Sequence, residues 1–125
     1  MPQAPHIFTD YLDESIRVVA LVGEHDLSTR QSVLAALECV IAPSATVIVD
    51  LSTTEFIDSS VLNALIAAHK RAERTPGTTL TVVATPDTPP ARVLEMIDVG
   101  ALFPIFASLD EAIHAPRLQA AHTAR

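Results

Sequence analysis

A hydroxyl pair, Ser59-Ser60, follows an aspartate, Asp58, where an apolar run (Val47-Ile48-Val49-Asp50-Leu51) passes through a polar turn into an amphipathic helical pattern. A helix N-terminus presents unpaired backbone N–H groups and the positive end of the helix dipole, so it favours an added anion. A serine phosphorylated there gains local stabilisation while the surface changes charge abruptly. Asp and Ser in this position also serve as ordinary N-caps, so the segment has a purely structural use as well. A second polar break, Gly23-Glu24-His25-Asp26, ends another apolar run, Arg17 to Val22. In a parallel sheet both strand ends project to the same edge, which can make neighbours of Glu24, Asp26, Asp58, Ser59 and Ser60.

Other chemistry finds little support. There is no Gly-x-Ser-x-Gly elbow, no phosphate-cradling glycine loop and no paired-histidine metal motif. The three glycines, Gly23, Gly77 and Gly100, read as turn punctuation, and His6, His25, His69, His114 and His122 are scattered, suiting solvated or boundary roles. An aspartate-phosphorylated receiver domain would need an acidic pair after its first strand and a late lysine. Here Asp50 ends the central run, but the one lysine, Lys70, falls in the second helix. A nucleophilic serine needs an oriented base, and the residues around Ser60 supply none. The expectation is a protein that is modified, with no catalytic residue, no metal and no cofactor of its own.

The 125 residues suit one domain, and 49% are hydrophobic against 4% aromatic, so the core must be aliphatic. Eight basic residues against fifteen acidic ones give a net charge of -7, with no basic cluster beyond Lys70-Arg71 and Arg74 near a helix end. That balance argues against direct nucleic-acid binding and against an anionic membrane. The single cysteine, Cys39, allows no internal disulfide and sits in an apolar helical pattern, where a small core or boundary residue is expected. The N-terminal residues lack a basic region followed by an apolar run, and no stretch reaches membrane-spanning length, so a cytoplasmic protein is expected.

Strands are expected at residues 7–11 and 17–22, joined as a tight antiparallel hairpin. Ser28 to Gln31 has capping-box spacing before a helix with Val33, Leu34, Leu37, Val40 and Ile41 on one stripe, ended by Pro43. Residues 46–51 form a central strand. The next helix starts near Asp58 or Ser59, carries Leu62, Leu65, Ile66 and His69 on its stripe, and stops at Thr75-Pro76-Gly77. A strand at 80–84, a helix from Thr88-Pro89-Pro90 to Gly100, an edge strand at 102–106 and a helix from the Ser108–Glu111 capping box to Pro116 complete the order. The class is α/β, with a mixed, mostly parallel sheet of about five strands and about four helices. One domain spans 1–125, with its core at about 7–115 and 116–125 as a flexible tail. The first hairpin strand and Phe103-Pro104-Ile105-Phe106 are candidates for supporting a homodimer.

Gly23-Glu24-His25-Asp26 and Phe56-Ile57-Asp58-Ser59-Ser60, the latter after Asp50-Leu51-Ser52, resemble two motifs of the STAS domain. These are Gly-Glu-Leu/Ile-Asp and Phe-x-Asp-Ser-Ser/Thr-Gly, and the resemblance covers about residues 7–115. The family includes bacterial anti-sigma factor antagonists. In these, the serine after the aspartate is phosphorylated by a partner anti-sigma factor that is itself a serine kinase. The resemblance implies that Ser59 is the phosphorylated residue, with Ser60 as the alternative. It also implies a partner-binding surface of Glu24, Asp26, Asp58, Ser59, Ser60, Val61 and Asn63. The unphosphorylated form would bind the anti-sigma factor and free the sigma factor, and phosphorylation would break that complex. Two positions depart from the pattern: Val61 replaces a glycine, and His25 replaces an aliphatic residue. A β-branched side chain at Val61 is expected to hinder the close approach of a kinase backbone. An alternative that keeps the fold is a non-phosphorylated docking or small-ligand module responsive to a nucleotide or anion.

Overall fold

The computed structural model describes residues 4–97 and 102–115. The chain runs β1 (His6–Tyr11), β2 (Ile16–His25), α1 (Arg30–Val40), β3 (Thr46–Asp50), β4 (Thr54–Ile57), α2 (Ser59–Glu73), β5 (Thr79–Val83), α3 (Pro89–Met96), β6 (Ile105–Phe106) and a last helix, α4, at 109–115. The sheet order is β1-β2-β3-β5-β6, with β4 added beside β2. Among the described residues only the β1–β2 hairpin is antiparallel; the other pairings are parallel. This is the mixed, mostly parallel α/β sheet that the strand–helix alternation requires.

Strand alternation splits the core. Val47 and Val49 of β3 face α1 and α2, together with Leu37, Leu65 and Val82. Ile48 faces the other way, packing with Val18, Val83 and Ala112 of α4. All five residues of β3 are buried, as a central strand covered on both faces should be.

Several local expectations change. β4 occupies what the sequence presents as a polar turn, and β2 runs on to His25 instead of stopping at Val22. β2 and β4 pair Gly23 with Thr54 and then Glu24 with Phe56, so Glu55 is the extra residue of a bulge. The bulge exposes Glu55 and Phe56 consecutively, which erases the period-2 signature of a strand. Gly23, at φ 86°, occupies the region glycine tolerates and directs the kink. α1 starts from Thr29, not Ser28, because the Ser28 hydroxyl donates to the Asp26 carboxylate at 2.5 Å. Half of the second capping box forms: the Glu111 N–H meets the Ser108 hydroxyl at 3.2 Å, whereas the Glu111 carboxylate reaches past the Ser108 N–H to accept that of Ala107 at 3.3 Å.

Cys39 is exposed, not a core or boundary residue. Phe103 is buried against the His69 ring, so of the 103–106 segment only Ile105 offers an exposed large side chain to another molecule. α3 has its Pro89-Pro90 first turn. It ends at Met96 with Ile97 as its C-cap, short of the end expected at Gly100; Gly100 itself and the tail at 116–125 lie outside the described residues. Among the described residues no helix is long and apolar enough to cross a membrane.

Candidate functional site

The site is built at the sheet edge where β2 and β4 end and α2 begins. Asp58 is the N-cap of α2 with extended backbone, and its Oδ1 accepts the N–H groups of Ser60 (3.0 Å) and Val61 (3.1 Å). The Ser60 hydroxyl donates to the same oxygen at 2.5 Å. Partial burial pushes the Asp58 carboxyl up. Hydrogen bonds from the Ser60 hydroxyl and from the Val61, Ser60 and Leu27 backbone N–H groups outweigh that and hold it below the ordinary carboxylate range. The Leu27 backbone N–H lies close enough to act on the Asp58 carboxyl, so the two polar segments are neighbours, as the strand order implied.

This arrangement separates the two serines. Ser60 is half-buried with its hydroxyl proton committed to Asp58, whereas Ser59 is exposed and its hydroxyl makes no hydrogen bond among the described residues. Ser59 is the first residue of α2, with Asn63 one turn further on, also exposed. The expectation of a waiting ring of free N–H donors needs correction. Asp58 already occupies those of Ser60 and Val61, so an anion on Ser59 would meet a carboxylate as well as the dipole.

Glu24 and Asp26 are exposed beside this helix start. Two apolar side chains that sequence reasoning did not place at the site are exposed beside it: Leu27 at 71% and Phe56 at 44%, with Phe56 opposite Glu24 in the β2–β4 register. An aliphatic residue directly after the Gly-Glu-His-Asp break, outside any helical or strand stripe, was the available signal for Leu27. Val61, expected on the partner surface, has its side chain fully buried in the main core, so it offers a partner nothing. Its β-branched side chain therefore adds no bulk to the exposed face.

His25 is the second correction. It is fully buried, not solvated: its Nε2 donates toward the carbonyls of Val22 (3.0 Å) and His6 (3.2 Å), and its Nδ1 lies 3.1 Å from the Thr29 hydroxyl. Thr29 in turn meets the Asp26 backbone N–H at 3.3 Å, so one imidazole joins β1, β2 and the loop that carries Asp26 and Leu27. Among the described residues, no three His, Cys, Asp or Glu side chains are grouped to hold a metal ion.

The site is thus an aspartate-capped hydroxyl pair at the edge of a mixed, mostly parallel α/β sheet. The STAS domain model matches residues 10–112, and the chain belongs to that family. Among solved structures it is similar to an anti-sigma factor antagonist from Mycobacterium paratuberculosis, at 26% identity and TM-score 0.80, over 91% of this chain and 95% of that one. It is also similar to the anti-sigma factor antagonist SpoIIAA in its unphosphorylated form (21% identity, TM-score 0.73, 90% and 96% covered). The Bacillus cell fate determinant SpoIIAA in the phosphorylated form also matches (22%, TM-score 0.62, 86% and 96%). At those identities the two SpoIIAA likenesses speak for the fold alone. No curated protein matches the sequence.

Proposed function

We propose that this chain is an anti-sigma factor antagonist whose binding to an anti-sigma factor serine kinase is switched off by phosphorylation of Ser59. The observation that carries the reading is the contrast within the pair: Ser59 is exposed and unbonded, while Asp58 holds Ser60. The kinase brings ATP, Mg²⁺ and the base, and Ser59 contributes its hydroxyl oxygen as acceptor. Leu27 and Phe56 serve as apolar anchors, with Glu24, Asp26 and Asn63 at their rim.

Phosphorylation adds about -1.5 to -2 charges next to a carboxylate that caps the same helix turn. Like-charge crowding across an interface costs several kcal/mol, and about 2.8 kcal/mol weakens binding roughly a hundredfold. The fold survives, because Asp58 and the core face of α2 are untouched. Calorimetry against the kinase partner tests this with two variants. Ser59→Ala binds constitutively, and Ser59→Asp binds far more weakly with an unchanged circular dichroism spectrum. Equal affinities would reject the switch. The buried position of Val61 removes the main reason for preferring a docking or small-ligand module that is never phosphorylated.

A further inference from the structure

The outer edge of β1 is unpaired among the described residues, since β1 is the first strand of the sheet and bonds only to β2. The Leu12 N–H donates to the Ile16 carbonyl at 3.0 Å, and the register continues through Asp10↔Val18, Phe8↔Ala20 and His6↔Val22. Even-numbered residues therefore turn their backbone groups inward, while Ile7, Thr9 and Tyr11 turn N–H and C=O outward. The side chains of His6, Phe8 and Asp10 share one face of the strand and are all exposed, with the His6 and Phe8 ring centroids 5.9 Å apart. Exposed edges of this kind are templates for another strand.

We propose that β1 pairs antiparallel with β1 of a second copy of this chain, about a two-fold axis at Phe8. Outward-facing residues must oppose one another, which leaves three central registers, with the axis at Ile7, Phe8 or Thr9. An axis at Ile7 sets His6 against Phe8, and one at Thr9 sets Asp10 against Phe8. The axis at Phe8 alone is self-complementary: His6 faces the partner's Asp10 twice, imidazole N–H to carboxylate, and the two Phe8 rings meet in a close, non-hydrogen-bonded pair. Ile7 and the partner's Thr9 exchange N–H···O bonds on each side of the axis. The Tyr11 N–H reaches the carbonyl of the partner's Pro5, where a proline loses a single ladder donor.

Sedimentation equilibrium of the full chain tests this with His6→Glu, Asp10→Lys and their 1:1 mixture. The wild type self-associates reversibly, while each variant alone, folded by circular dichroism, weakens self-association at least about tenfold, His6→Glu by setting carboxylate against carboxylate and Asp10→Lys by removing the acceptor that His6 meets. The mixture recovers association, because the introduced carboxylate then faces the introduced ammonium, and the unchanged Asp10 of one variant faces the unchanged His6 of the other. A wild type that stays monomeric at all soluble concentrations, variants that associate like the wild type, or a mixture no stronger than its components each overturns the proposal. Amide exchange on the wild type reads the register independently. Protection rises with concentration at Ile7, Thr9 and Tyr11 but not at Phe8 or Asp10; an unchanged or uniform pattern contradicts it.

Discussion

Replacing Asp58 by alanine removes, at one stroke, the acceptor for the Ser60 and Val61 N–H groups and for the Ser60 hydroxyl. Loss of an N-cap of this kind costs about 1–2 kcal/mol. For a domain of this size that lowers the thermal midpoint by about 4–8 °C at pH 7. Asp58→Asn keeps an acceptor oxygen in place and loses only part of this. The pH dependence has a definite sign. The folded-state pKa of Asp58 is depressed, so its contribution is complete above the unfolded-state value of about 4 and disappears as pH falls through the lower folded-state value. The gap between wild type and Asp58→Ala is therefore full at neutral pH and closes in acid. Calorimetric scans across that range measure it. Equal midpoints at pH 7, or a gap that widens as pH falls, would refute the capping argument.

Val61→Gly restores the residue typical of the family motif, yet it deletes a fully buried side chain and places glycine in a helix. Denaturant titration should show a loss of about 2–4 kcal/mol, with partner affinity of the folded fraction unchanged. His25→Ala leaves the Val22 and His6 carbonyls without their donor and opens a cavity. A loss of about 2–4 kcal/mol is expected by the same titration, together with amide shift changes at Asp26 and Leu27 in NMR spectra.

The hairpin, the α1 and α2 stripes, the buried central strand and Asp58 at the start of α2 were legible because each rests on local periodicity or capping chemistry. β4 was not, since a bulge at Glu55 depends on how β2 lies beside it, and four residues with two consecutive exposed ones carry no period. The site was legible as residue types at an edge, but not as orientations. Val61 and His25 sit in polar-looking motifs, and only the packed core shows that both point inward. The difference between Ser59 and Ser60 likewise needed the Asp58 carboxylate in place, because a sequence shows two hydroxyls and no bond to either.

The proposed switch requires that Ser59, and not its neighbour, accept a phosphoryl group. Each serine-kinase anti-sigma factor of the source organism can be incubated with this chain and Mg-ATP, and the product mapped by fragmentation mass spectrometry. A single phosphoryl group on Ser59, abolished by Ser59→Ala and retained in Ser60→Ala, is the predicted result. Phosphorylation on Ser60, or none with any of these kinases, would contradict it.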